Sequence, residues 1–108
     1  MTALDDTFSA LADPSRRGVV DLLRRSPHRA GDLADALGLT RPAMSRHLRV
    51  LRQSGLIEPA SDDADARARI YRLRPERFSA LRRWLDDVEA MWTLELAAFK
   101  AHAERKRK

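Results

Sequence analysis

A chain of 108 residues with a formal charge of +5 and no cysteine has room for one domain with a modest core. It excludes disulfides, thiolate metal sites and thiol-based redox sensing. So small a core favours sharing apolar surface with a second chain. No apolar run is long enough to span a bilayer, and residues 1–12 carry Asp5 and Asp6 where a signal peptide carries Lys or Arg, so a cytoplasmic protein is expected.

The charge is unevenly spread. Residues 100–108 hold five basic side chains and one Glu, a net +4, which leaves about +1 for residues 1–99. Total charge is thus weak evidence for a polyanionic partner. Arg outnumbers Lys by 18 to 3, which suits bidentate contacts to phosphate and guanine and equally fits a coding bias of the host genome.

Along the chain, Leu4, Phe8 and Leu11 recur at helical spacing and predict a short amphipathic helix over residues 2–12. Asp13-Pro14 then reads as an N-cap followed by proline at the first helical position. The second helix, with Val19, Val20, Leu22 and Leu23 on its apolar face, ends before Ser26-Pro27, because the residue preceding proline disfavours the α region. A third helix over 30–37, carrying Leu33, Ala34 and Leu37, stops at Gly38. Thr40 caps a fourth over 41–54, which stops at Gly55. The tight connection 38–40 makes helices three and four a helix-turn-helix pair.

Two β-prone runs follow, 56–59 and 69–73, and predict a two-stranded hairpin. Pro75 opens a long last helix in which Phe78, Leu81, Trp84, Leu85, Val88, Met91, Trp92 and Phe99 recur at steps of three and four. Residues 100–108 lose that periodicity, so a disordered basic tail is expected after a domain covering 1–99. The predicted fold is mainly α: about five helices and a hairpin wing, a winged helix-turn-helix.

The fourth helix separates into two faces at 100° per residue: Met44, Leu48 and Leu51 on one, and Pro42, Ser45, Arg46, Arg49 and Gln53 on the other. The second face suits a major groove. Arg46 has the reach for a guanine edge, Ser45 for a base or phosphate, and Arg49 for phosphate, while Thr40 and Arg41 near the helix start meet the backbone or the first base pair. An arginine face is as often simply solvated. Here no Asp or Glu interrupts the chain between Asp35 and Glu58, whereas solvated helices usually mix signs through (i, i+4) pairs, so the one-signed stretch favours DNA. His47, beside Leu48, is expected to pack or to form a hydrogen bond, with no reading role. On the wing, Arg67 and Arg69 either touch phosphate or the minor groove, or pair with Asp62, Asp63 and Asp65; the spacing leaves both readings open.

The run Ala10-Leu11-Ala12-Asp13-Pro14-Ser15-Arg16-Arg17, then Asp32-Leu33-Ala34, then residues 39–51 with Ser45-Arg46-His47-Leu48, resembles the ArsR (SmtB/ArsR) family of dimeric repressors over nearly all of residues 1–73. The resemblance implies that the fourth helix reads the major groove, with Ser45 and Arg46 as prominent contacts, and that first and last helices build a homodimer. Leu4, Phe8, Trp84, Leu85, Val88, Met91, Trp92 and Phe99 are the expected interface, and independently they present more apolar surface than one small domain covers. Two such helices about a twofold axis imply an inverted-repeat double-stranded operator with half-sites roughly 34 Å apart.

Many members of that family sense metals, but the family's paired cysteines fall here on Arg29 and Gly31. Val88 stands where a His would follow Asp86, and Phe99 stands where a Glu would precede His102. His28, His47 and His102 show no ligand spacing of their own. No metal or other cofactor is expected, and an effector is left open among a small apolar ligand, a partner protein and none. No nucleophile elbow, phosphate loop or paired carboxylates point to an enzyme. The stronger rival is a winged-helix module that docks proteins. Such a module would show large apolar residues on the outer face of the fourth helix.

Overall fold

A computed structural model describes residues 2–60 and 68–106. In chain order the elements are α1 (Ala3–Leu11), α2 (Pro14–Leu23), β1 (His28–Arg29), α3 (Ala30–Leu37), α4 (Arg41–Gln53), β2 (Ile57–Pro59), β3 (Ile70–Leu73) and α5 (Pro75–Lys106). They fall into two compact units, Met1–Phe78 and Ser79–Lys108.

The helix boundaries in the first unit follow local hydrogen-bond chemistry. Thr2 and Asp5 form a reciprocal capping box at the start of α1. Asp13 Oδ1 accepts the backbone N–H groups of Ser15 (2.8 Å) and Arg16 (3.2 Å), satisfying two orphan donors of α2. Helices α3 and α4 close in the same way. After α3, Gly38 takes φ 64°, with Gly38 N–H on Asp35 O and Leu39 N–H on Ala34 O. After α4, Gly55 takes φ 75°, with Gly55 N–H on Arg52 O and Leu56 N–H on Leu51 O. Each is a Schellman motif, which needs the left-handed backbone that glycine adopts without a Cβ penalty.

The sheet differs from expectation. It has three antiparallel strands in the order β1-β3-β2, where two were predicted. Glu58 pairs with Arg72 and Ile57 with Leu73 across β2 and β3, while His28 faces Tyr71 and Arg29 faces Ile70 across β1 and β3. A two-residue strand has no periodicity to read. It forms because the other edge of β3 is open, and Ala30 N–H extends the pairing onto Arg69 O at 3.2 Å. Pro59 is tolerated because β2 lies at the sheet edge.

The core joins Ala10 of α1, Val19 and Leu23 of α2, Leu33 and Ala34 of α3, Met44, Leu48 and Leu51 of α4, then Leu56, Ile57 and Tyr71. Phe78, in the first turn of α5, packs against it. Thr7, the one polar residue buried among the described residues, donates its hydroxyl to Ala3 O at 3.0 Å.

Beyond Phe78, α5 contains no buried residue. The helix does not end at Phe99, where the apolar periodicity stops, but runs on to Lys106. Residues 100–106 are Ala, Glu, Lys, Arg and one His, mostly strong helix formers. Arg105 and Lys106 in the last turn complement the negative end of the helix dipole. No described helix is long and apolar enough to cross a membrane.

Candidate nucleic-acid interface

The two faces of α4 are set by its buried side. Met44, Leu48 and Leu51 are 1 %, 4 % and 0 % exposed. With those three fixed in the core, the 3.6-residue repeat turns Pro42, Ser45, Arg46, Arg49 and Gln53 outward, and all five are exposed, as are Thr40, Arg41 and Arg52. Thr40 Oγ1 accepts the N–H of Ala43 at 3.3 Å, so this side chain already serves as N-cap while its hydroxyl hydrogen can still donate.

Among the described residues, no carboxylate lies within ion-pair distance of Arg41, Arg46, Arg49 or Arg52. The ion-paired carboxylates are engaged elsewhere: Glu58 with Arg72 (3.0 Å) and Arg74 (3.7 Å), Glu76 with Arg74 (3.8 Å), Asp21 with Arg24 (3.5 Å), and Asp13 with Arg16 (4.0 Å). Four guanidinium groups therefore share one helix surface without local neutralisation, a field that attracts a polyanion.

Arg52 is not among the expected DNA contacts, and Gln53 lies on the expected DNA-facing side without an assigned contact. With Arg49 they line an open depression of about 400 Å³ at the end of α4. Their position on the helix wheel is legible from the sequence. On the wing, Arg69 is half-buried and Arg67 lies outside the described residues, as do Asp62, Asp63 and Asp65. The ion pairing seen on this hairpin is across strands, Glu58 to Arg72 in direct register.

Two arginines of the second helix carry structure that its apolar pattern did not reveal. Arg17 Nη1 donates to Leu11 O (2.7 Å) and Ala12 O (3.1 Å), and Arg16 Nε donates to Ala10 O (2.7 Å), so both cap the orphan carbonyls of α1. Arg16 Nη1 also lies 3.4 Å from His47 Nδ1 on α4, which places His47 in the hydrogen-bonding role expected for it. The Asp13 carboxyl titrates below its ordinary value, chiefly because it accepts the Arg16 N–H. Desolvation opposes the shift, while the Ser15 N–H and the charge of Arg16 assist it. No three described His, Asp or Glu side chains converge as a metal site would require.

For apolar residues the picture reverses. Phe8 is 42 % exposed, Trp84 42 %, Leu85 49 %, Val88 47 %, Met91 65 %, Trp92 59 % and Phe99 72 %, while Leu4 is half-buried. Leu94 and Leu96, absent from the expected interface, are exposed as well. Leu96 falls with the stripe by helical spacing and Leu94 lies off it.

Residues 13–58, from the Asp13 cap to Glu58, match the family model described as "Bacterial regulatory protein, arsR family". The chain is 37 % identical over 95 residues to the "HTH-type transcriptional regulator Rv2034" of Mycobacterium tuberculosis, a match covering 88 % of this chain and 83 % of that one. It belongs to the arsR family of bacterial regulatory proteins. A second relative, the "Transcriptional repressor SdpR" of Bacillus subtilis, is 37 % identical over 54 residues, half of this chain and 60 % of that protein. Among solved structures, the "ArsR-like Transcriptional Regulator from Rhodococcus sp. RHA1" superposes with a TM-score of 0.79 at 31 % identity, covering 96 % of this chain and 97 % of the other. As an ArsR-family member the chain is a winged helix-turn-helix transcriptional regulator, with α3 and α4 as its helix-turn-helix and β2–β3 as its wing.

Proposed function

We propose that this regulator represses transcription as a cytoplasmic homodimer bound to an inverted-repeat operator, with α4 of each copy in the major groove. The observation that carries the reading is the strip formed by Thr40, Arg41, Pro42, Ser45, Arg46 and Arg49: exposed, one-signed and free of large apolar side chains. A protein-docking module would present Leu, Phe or Met there. Arg46 and Ser45 address base edges, Arg41 and Arg49 address phosphates on either side, and Arg67 and Arg69 of the wing extend the backbone contacts.

The apolar stripe of α5 supports the dimer, and Leu4 and Phe8 of α1 belong to the same proposed interface. Side chains such as Met91, Trp92 and Phe99, more than half exposed in one copy, gain most from burial against a second copy of the same helix. Residues 1–99 then serve as one DNA-binding and dimerisation domain. Repression follows sterically when a dimer occupies promoter DNA. No reaction and no resident cofactor are part of this reading, and any effector that releases the dimer acts without the family's cysteine ligands.

The test is a gel shift with the duplex that the protein selects from a random-sequence library. Arg46→Ala should weaken specific binding by about 1–3 kcal/mol and relax preference at one base position in each half-site. Arg49→Ala should weaken binding to all sequences alike and lower the salt slope by about one. Full specific affinity in both Arg46→Ala and Ser45→Ala would remove α4 as the reading element.

A further inference from the structure

Arg16 is tied on four sides. Its Nε donates to Ala10 O at 2.7 Å, Nη2 to Ser9 O at 3.3 Å, Nη1 lies 3.4 Å from His47 Nδ1, and the same Nη1 stands 4.0 Å from Asp13 Oδ2. Only 17 % of the side chain is exposed. Two of these partners are backbone carbonyls at the end of α1, and one is the cap of α2. Such partners cannot follow a rotating side chain, so the guanidinium plane is held by the α1–α2 corner. The remaining partner, 31 residues away, is on the DNA-facing helix.

His47 sits at a boundary of α4, between buried Leu48 and exposed Arg46. Met44, Leu48 and Leu51 hold the helix down, but apolar packing is weakly directional, whereas a hydrogen bond loses strength steeply with angle. A rotation of α4 by about 20° moves a side-chain end about 5 Å from the axis by about 2 Å, enough to break a base-edge hydrogen bond. Since arginine only donates, Nδ1 must be the acceptor, which puts the imidazole proton on Nε2.

We infer that Arg16 and His47 form a clasp that fixes the rotation of α4 about its own axis, making both positioning residues for operator reading although neither is assigned a DNA contact. The clasp refines the DNA-reading role of α4 proposed above and depends on it.

Three substitutions at His47 separate positioning from direct contact. Asn places an oxygen acceptor near the Nδ1 position, Gln places its amide near Nε2, and Leu has neither. Affinities of the full-length variants are measured by fluorescence anisotropy for the selected operator duplex and for random duplex of equal length, with melting curves confirming folding. His47→Asn should stay close to wild type on operator DNA. His47→Leu and His47→Gln should lose about five- to tenfold there and nothing on random duplex. Arg16→Lys, which keeps the charge but not the planar fork, should impose a similar loss alone and no further loss on top of His47→Leu. Should Arg16→Lys fail to fold, the His47 series decides alone.

Retention by His47→Gln with loss by His47→Asn would show that Nε2 touches DNA and overturn the clasp, as would three wild-type affinities or additive losses with Arg16→Lys. A wild-type protein that prefers no duplex over random DNA would instead overturn the operator-binding reading itself, and the clasp with it.

Discussion

Helices α4 and α5 both turn a long face to solvent, and the two faces have opposite chemistry. One side of α4 is spent on the core through Met44, Leu48 and Leu51, and its outer side is serine and arginine. Past Phe78, α5 buries nothing, yet carries Trp84, Met91, Trp92 and Phe99 in the open. A charged face is at ease in water and requires no cover, so its composition reports what it meets in function. An apolar face of several large side chains is unfavourable in water, and reports a surface left for association. In the function proposed above, the contrast separates the DNA-reading helix from the pairing helix.

The largest expected effect tests the inner side of α4. Leu51→Ala should lower unfolding free energy by about 3 kcal/mol, read from urea titrations, because Leu51 is completely buried and its cavity cannot be filled from the surface. A cost below about 1 kcal/mol would mean that the packed face is not what orients the arginines. Next in size, Trp92→Glu should weaken dimerisation by about 2–4 kcal/mol, measured by sedimentation equilibrium. An unchanged dissociation constant would leave the apolar stripe of α5 without its assigned role. The loss at Arg46 falls between these and the end effects.

Thr40→Ala removes the oxygen that accepts the Ala43 N–H and should cost about 1 kcal/mol of stability by thermal or urea denaturation. Thr40→Asp should retain that stability through the cap while weakening DNA binding through charge. Together the pair separates the structural role of this residue from its place beside DNA. The smallest effect is confined to acid. The Asp13 carboxyl has a folded pKa below its ordinary value, so its contribution is fully present above about pH 4 and is lost as pH falls through the folded value. Asp13→Asn keeps an N-cap without titrating. The stability difference between wild type and this variant should be flat from pH 7 to about pH 5, and shift against wild type below pH 4, in urea melts across that range.

Much of this arrangement was legible because its determinants are local. Asp13-Pro14, Thr40, Gly38 and Gly55 place helix ends through hydrogen bonds within a few residues, and the spacing of Met44, Leu48 and Leu51 assigns the two faces of α4 without knowledge of its neighbours. Hidden features were those whose partners lie far along the chain. Arg16 and Arg17 read as ordinary helix arginines until the α1 carbonyls are seen within their reach. Strand β1 has two residues and exists only because β3 offers an edge. Apolar periodicity along α5 stops at Phe99 because it measures burial, while helix propensity and terminal charge carry the backbone to Lys106.

By itself, then, the order of residues determined the element types, the caps, the amphipathic split of α4 and the membership of a DNA-binding family, since each depends on spacing or short-range hydrogen bonding. Tertiary structure alone decided which charges remain unpaired, which carbonyls the arginines of α2 hold, and that His47 is held from across the fold. Those outcomes depend on distances between atoms separated by tens of residues, and only packing sets such distances.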